Sequence, residues 1–202
     1  MYYSSLFRLP DMAVEMVEGT PFATGGFLFQ EERTLVRDSW SEVRLKTFIL
    51  GRCAAHSALL ALKEKAFPVL KGEKGEPIWA GDMVGSISHK DTVAVAAVGR
   101  KKKYKGIGID IEDRTIALTE KEYALFCTPE EIRHIKRKTF SPVDIFSRKE
   151  AVWKAYYVVA HAAYDWMDID TIQVSERSDM IKMYMFNKGK FVINVCCIEK
   201  ES

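Results

Sequence analysis

Asp110 and Glu112, within Gly108-Ile109-Asp110-Ile111-Glu112, are the first side chains here whose types and spacing could do chemistry. In an extended segment, residues two apart share a face. Both carboxylates therefore point one way, and Ile109 and Ile111 the other. Two carboxylates so placed can hold a hard divalent cation, and Mg2+ favours one or two of them plus phosphate oxygens. A half-buried strand with a solvated polar face gives the same pattern. Glu150 and Lys154 are four apart, hence adjacent on a helix. Such a pair on an open surface contributes about 0.3–0.5 kcal/mol. Phe146 and Trp153 border this one, and aromatic neighbours suit a cleft equally well.

Three further groups could meet an anion. Gly85-Ser86-Ile87-Ser88-His89 carries two hydroxyls and an imidazole just before a turn, although serines in such places often satisfy nearby backbone groups. Arg44 and Arg52 lie two helical turns apart and about 80° around the axis. Both forks could address one polyanion, or one could be exposed and the other lie along the surface. Arg100, Lys101, Lys102, Lys103 and Lys105 crowd a turn that is either solvated or a docking point for an acidic partner.

These groups need elements to position them. Ser39 with Glu42 reads as a capping box opening a helix from about 40 to 63, which carries Arg44 and Arg52. Pro68, Gly72, Gly75, Pro77 and Gly81 make 68–82 a loop. Val84–Ser88 and Thr92–Val98 flank Lys90-Asp91 as a hairpin, and Gly106–Glu112 reads as a strand. Thr119 with Glu122, Thr128-Pro129 with Glu131, and Ser141-Pro142 with Asp144 are three helix starts, the last opening a helix over about 142–162. Ile169–Val174, Met180–Phe186 and Lys190–Ile198 read as a strand meander, with a turn at Asn187-Lys188-Gly189. Short strands are expected in the first forty residues, where apolar side chains scatter through Phe22–Phe29. The class is α+β with antiparallel pairing.

Composition narrows the field. The chain has 202 residues, 48% hydrophobic and 29% charged, ordinary values for a globular protein. Its 30 basic and 28 acidic side chains leave +2, which gives bulk charge no role in binding nucleic acid. Cys53, Cys127, Cys196 and Cys197 form no C-x-x-C pair and are expected to be reduced, buried thiols. Residues 1–11 lack the basic start and apolar stretch of a signal peptide. No apolar run reaches the ~18 residues of a membrane span. A cytoplasmic location is expected, with neither a membrane nor a nucleic-acid partner.

Taken together, S-x-S-H, then G-I-D-I-E, then F-S-x-K-E-A-x-x-K-A resemble the Sfp-type 4'-phosphopantetheinyl transferases, in the branch of the enterobactin-synthesis enzyme. The resemblance covers about 42–156 and includes Arg44–Leu60 and the loop Phe67–Trp79. It implies transfer of the 4'-phosphopantetheine arm of coenzyme A to a serine of an apo acyl, peptidyl or aryl carrier protein. Adenosine 3',5'-bisphosphate would be released. It also implies Mg2+ held by Asp110, Glu112 and Glu150, with Asp110 and Lys154 at the coenzyme A pyrophosphate. Arg44, Arg52, Lys71, Lys74, Ser88 and His89 would hold the 3'-phosphate and adenosine end. Glu150 is the candidate base, directly or through a water, and Lys154 the group assisting the leaving bisphosphate.

The implied fold is a pseudo-dimer of two similar α+β halves, 1–105 and 106–202, with the active site in the cleft between them, and the chain a monomer. Two alternatives stand beside this reading. A metal-dependent phosphodiesterase or nuclease would use the same carboxylates, but its usual Glu-x-Lys is absent, since Asp113 and Arg114 follow Glu112. A non-catalytic coenzyme A-binding module is the other, although every acidic residue that the chemistry wants is present.

Overall fold

Met12–Glu18 and Val93–Arg100 are runs too apolar to lie exposed, and they pair with each other. The computed structural model describes residues 1–21, 26–160, 165–174 and 178–201 and divides into two compact units, Met1–Tyr104 and Lys105–Ser202. In the first, strands β1 (Tyr2–Leu9), β2 (Met12–Glu18), β5 (Met83–Lys90) and β6 (Val93–Arg100) form an antiparallel sheet in the order β1-β2-β6-β5. Helix α1 is Gln30–Arg33, helix α2 is Glu42–Ala61, and β3 (Leu70–Lys71) pairs with β4 (Pro77–Ile78).

Ala13, Val17, Ala94, Ala96 and Val98 share a cluster with Ile49, Leu50, Cys53, Ala54, Ala58 and Leu59 of α2. Alanines on the sheet leave room for the helix to approach closely. Gly51 permits the same approach, since a Cβ there would meet Ile87 Cγ2 at 3.0 Å.

The second unit contains β7 (Tyr104–Asp113) from its second residue on, α3 (Glu120–Tyr123), α4 (Pro129–Lys136), α5 (Pro142–Ala160), β8 (Ile181–Lys188) and β9 (Phe191–Glu199), with sheet order β7-β9-β8. β8 and β9 are an antiparallel hairpin turned at Gly189, whose φ of 57° favours glycine. Ala151, Val152 and Ala155 of α5 pack with Cys196 and Ile198 of β9. Ile107, Ile109 and Ile111 are fully buried, each worth about 1.5–3 kcal/mol. All four cysteines are buried and none is disulfide-bonded.

Gly106 and Gly108 alternate with those isoleucines and lie under α5. A Cβ on Gly108 would run into Ala151 O and come within 2.6 Å of Ala155 N, while one on Gly106 would run into Ala155 O. Gly108→Ala is therefore expected to destabilise the protein by about 1–3 kcal/mol, read as a lower urea midpoint. An unchanged midpoint would mean that α5 does not rest on β7.

Several sequence expectations need correction. The cap of α2 is Ser41, whose Oγ accepts from Arg44 N at 3.2 Å, so Ser39 with Glu42 is not the box. The early strands lie at 2–9 and 12–18. Within Phe22–Phe29, residues 22–25 fall outside the described ones and the remainder is turn leading to α1. Ile169–Val174 is not a strand. Asp170 Oδ1 accepts from Ile172 N and Gln173 N, both at 3.0 Å, and caps a helical turn at 173–174. An Asp that can cap locally outweighs a weak apolar alternation. The expected loop at 68–82 holds the short pair β3–β4. The three hydroxyl-to-carboxylate helix starts all form; the last expected residues of the third helix, 161–162, lie outside the described ones.

Candidate active site

In the second unit, the β7 face that carries Gly106 and Gly108 also carries Asp110 and Glu112. Having no side chains at the two glycines, β7 lets α5 lie directly on it, and α5 brings Glu150 and Lys154. Lys154 Nζ donates to Asp110 Oδ1 at 2.7 Å and to Ile109 O at 3.2 Å, and stands 3.5 Å from Glu150 Oε2. Asp110 is only 4% exposed. Burial pushes the Glu150 carboxyl up. Lys154 opposes this, while the negative charges of Asp110 and Glu112 reinforce it.

A half-buried carboxylate repelled by two others is a site that gains from an added cation, and all the donors are hard oxygens. Among the described residues, no three His, Cys, Asp or Glu side chains are gathered into a ready-made metal site. Mg2+ does not require one, because it completes its shell with phosphate and water. The donor set fits such an ion.

In the first unit, α2, β5 and the β3–β4 loop enclose a cavity of about 150 Å³. Arg44, Arg52, Lys71 and His89 line it, together with Trp40, Phe48, Gly75, Pro77 and Ile87. Four cationic or imidazole groups and two aromatic rings in one cavity suit an anion joined to a flat ring. The Arg44 guanidinium sits 4.8 Å over Trp40 and that of Arg52 4.5 Å over Phe48. Burial pushes the Arg52 pKa down to about 10, with Glu32 opposing the shift, so the group stays charged at neutral pH.

Two expected residues are not on this wall. Ser88 is buried and alternates with Ile87 and His89 along β5, so its side chain takes the other face. Lys74 stands beside Gly75 in the loop, where its N–H bonds Glu76 Oε2 at 3.0 Å. The basic turn is tied to acids of its own unit. Arg100 pairs with Glu64 at 2.5 Å and Asp11 at 3.6 Å, and Lys102 with Asp11 at 2.9 Å.

Trp40 and Phe48 were missed as site residues, yet both stand four residues before an arginine, a spacing visible in the chain. Glu32 and His56, behind the cavity wall, carry no comparable signal. Lys149 stands in the F-S-x-K-E-A motif and Glu131 in a helix start, but no spacing announces that they form a buried pair 3.0 Å apart. Among the described residues, no helix is long and apolar enough to cross a membrane.

A family model described as 4'-phosphopantetheinyl transferase N-terminal domain matches residues 31–99, and one described as 4'-phosphopantetheinyl transferase superfamily matches 106–200. The chain is 37% identical over 120 residues to 4'-phosphopantetheinyl transferase Npt of Nocardia iowensis, covering 57% of this chain and 53% of that protein. Its match to 4'-phosphopantetheinyl transferase PptT of Mycobacterium tuberculosis is 30% over 153 residues, or 74% and 65%. Enterobactin synthase component D of Escherichia coli K12 is 30% identical over 158 residues, or 73% and 74%. The chain thus spans between half and two thirds of the first two relatives and about three quarters of the third.

Proposed function

The chain belongs to the 4'-phosphopantetheinyl transferase family, and on that premise we propose that it moves the phosphopantetheine arm of coenzyme A onto a serine of an apo acyl, peptidyl or aryl carrier protein. The observation that carries the reading is the Lys154 ammonium held between Asp110 and Glu150 on the glycine-cleared face of β7. That cluster pairs a cation with carboxylates, as transfer from a pyrophosphate demands.

In this reading the serine oxygen attacks the phosphorus bearing the pantetheine arm. The bond from that phosphorus to the bridging pyrophosphate oxygen breaks, and adenosine 3',5'-bisphosphate departs. Glu150, its carboxyl raised by burial, accepts the serine proton directly or through a water. Lys154 lies against the pyrophosphate and stabilises the charge that gathers on the leaving bisphosphate. Asp110, Glu112 and Glu150 would hold Mg2+, whose charge would neutralise the phosphate oxygens during bond cleavage. Arg44, Arg52, Lys71 and His89, with Lys74 and Ser88 nearby, hold the 3'-phosphate and the adenosine. The aromatic faces of Trp40 and Phe48 keep the arginine forks extended toward that phosphate.

Intact mass spectrometry tests this directly. An apo carrier protein incubated with the chain, coenzyme A and Mg2+ is expected to gain one phosphopantetheine. Adding a chelator is expected to stop the gain. No gain on acyl, peptidyl or aryl carriers would defeat the proposed activity, and a gain that survives the chelator would defeat the metal requirement.

A further inference from the structure

Glu32 sits in α1, in a stretch that carries no motif, and its side chain is fully buried. Its two oxygens are fully engaged. Oε1 accepts from Val69 N at 2.9 Å and from His56 Nε2 at 2.8 Å, and stands 3.8 Å from Arg52 Nε. Oε2 accepts from Phe29 N at 3.0 Å. Although burial pushes this carboxyl up, the bonds from His56, Val69 and Phe29 outweigh it and hold the group below its ordinary range.

A closed helix end or a filled core position does not need a buried charge, which is expensive unless its partners use it. Here the partners are both walls of the cavity. Arg52 and His56 are one turn apart on α2, and Val69 leads into β3, which carries Lys71. Arg52 Nη2 donates to Leu70 O at 3.3 Å, and Phe48 covers one face of the guanidinium. Arg52 Nε makes no hydrogen bond, so Glu32 holds the fork in place through its charge at 3.8 Å, while Leu70 O at Nη2 and Phe48 on the face set its rotation.

We propose that Glu32 is a positioning residue that holds the Arg52 guanidinium on the cavity wall and thereby gives the cavity its preference for coenzyme A over the same molecule lacking the 3'-phosphate. This rests on the coenzyme A reading above. Two effects of removing the Glu32 charge can be separated. The more positive wall that results attracts every anion, and both ligands keep the pyrophosphate. Loss of the fork's position touches only the ligand with the 3'-phosphate, because a two-point phosphate contact is geometrically demanding.

Calorimetric titration of the full chain with coenzyme A and with 3'-dephospho-coenzyme A reads the ratio of the two affinities. The wild-type chain is expected to favour coenzyme A by about tenfold or more, and Glu32→Gln to reduce that ratio roughly fivefold or more, with dephospho-coenzyme A affinity within about twofold. Adding Glu32→Gln to Arg52→Lys is expected to lower the ratio no further than Arg52→Lys alone. A merely structural role would lower the melting temperature and leave the ratio intact. A folded Glu32→Gln chain with the wild-type ratio therefore overturns the proposal. If that variant does not fold, Glu32→Asp keeps the charge but withdraws it by one methylene. The same selective loss is expected there, and an unchanged ratio overturns the proposal. A wild-type chain that binds both ligands equally defeats the Glu32 inference alone, and one that binds neither defeats the coenzyme A reading with it.

Discussion

Asp110→Asn is expected to lower turnover of carrier protein by about 10² to 10³, the usual loss when one preorganised electrostatic group is removed from an active site. Its melting temperature should stay within a few degrees of wild type. The side chain keeps its size, so the packing of β7 against α5 survives. Its charge is what changes, and that charge has two proposed uses: orienting Lys154 Nζ at 2.7 Å and holding a cation with Glu112 and Glu150. Glu112→Gln should cost less, because Glu112 lies nearer the edge of the face and is only half-buried. The check is steady-state kinetics with saturating coenzyme A and carrier, alongside a thermal melt. A folded Asp110→Asn chain with wild-type kcat would remove this carboxylate from the chemistry.

The second large effect concerns stability. Lys149→Met is expected to destabilise the chain by about 3–5 kcal/mol, the cost of leaving one buried charge without its partner. Lys149 Nζ is fully buried, 3.0 Å from Glu131 Oε2, and donates to Trp166 O at 2.6 Å and to Ile169 O. Glu131 is equally buried. It also accepts from Thr171 N at 2.9 Å, Thr171 Oγ1 at 2.8 Å and Thr128 N at 2.8 Å.

Truncating the lysine strands that carboxylate in a site where water cannot reach it. Lys149→Met with Glu131→Gln should regain part of the loss, since no charge remains and an amide oxygen still accepts from Thr171, while the amide NH2 faces the Thr128 N–H in place of an acceptor. Denaturant unfolding of both variants decides the matter. Equal destabilisation of single and double variants would mean that the lysine's bonds to Trp166 O and Ile169 O matter more than the charge pair. Lys149 precedes Glu150 in the sequence but faces inward, so activity is expected to fall through loss of folded protein rather than through kcat.

Much of this was legible along the chain because it depends on neighbours in sequence. Asp110 and Glu112 share a face by strand alternation, and Glu150 and Lys154 by helical spacing. Thr119, Thr128 and Ser141 announced their helices through local hydroxyl-to-carboxylate reciprocity. The cap of α2 was misplaced by two residues because two serines stand there and Glu42 pointed to Ser39, whereas Ser41 is the one that accepts from Arg44 N. The strand expected at Ile169–Val174 failed because Asp170 caps a helical turn there, and Lys149, Arg148 and Glu131 hold that segment from outside.

Spacing alone determines the residue types of the candidate site, the α+β class and the order of the motifs. It cannot determine that Lys154 reaches Asp110, 44 positions away, or that Glu32 lies behind Arg52, 20 positions away. Those pairings follow from how closely α5 rests on Gly106 and Gly108 and how α1 tucks behind α2. Periodicity reports only which way a side chain leaves its own element. Which charge it meets there is decided when elements pack, because burial makes an unmet charge too costly to keep.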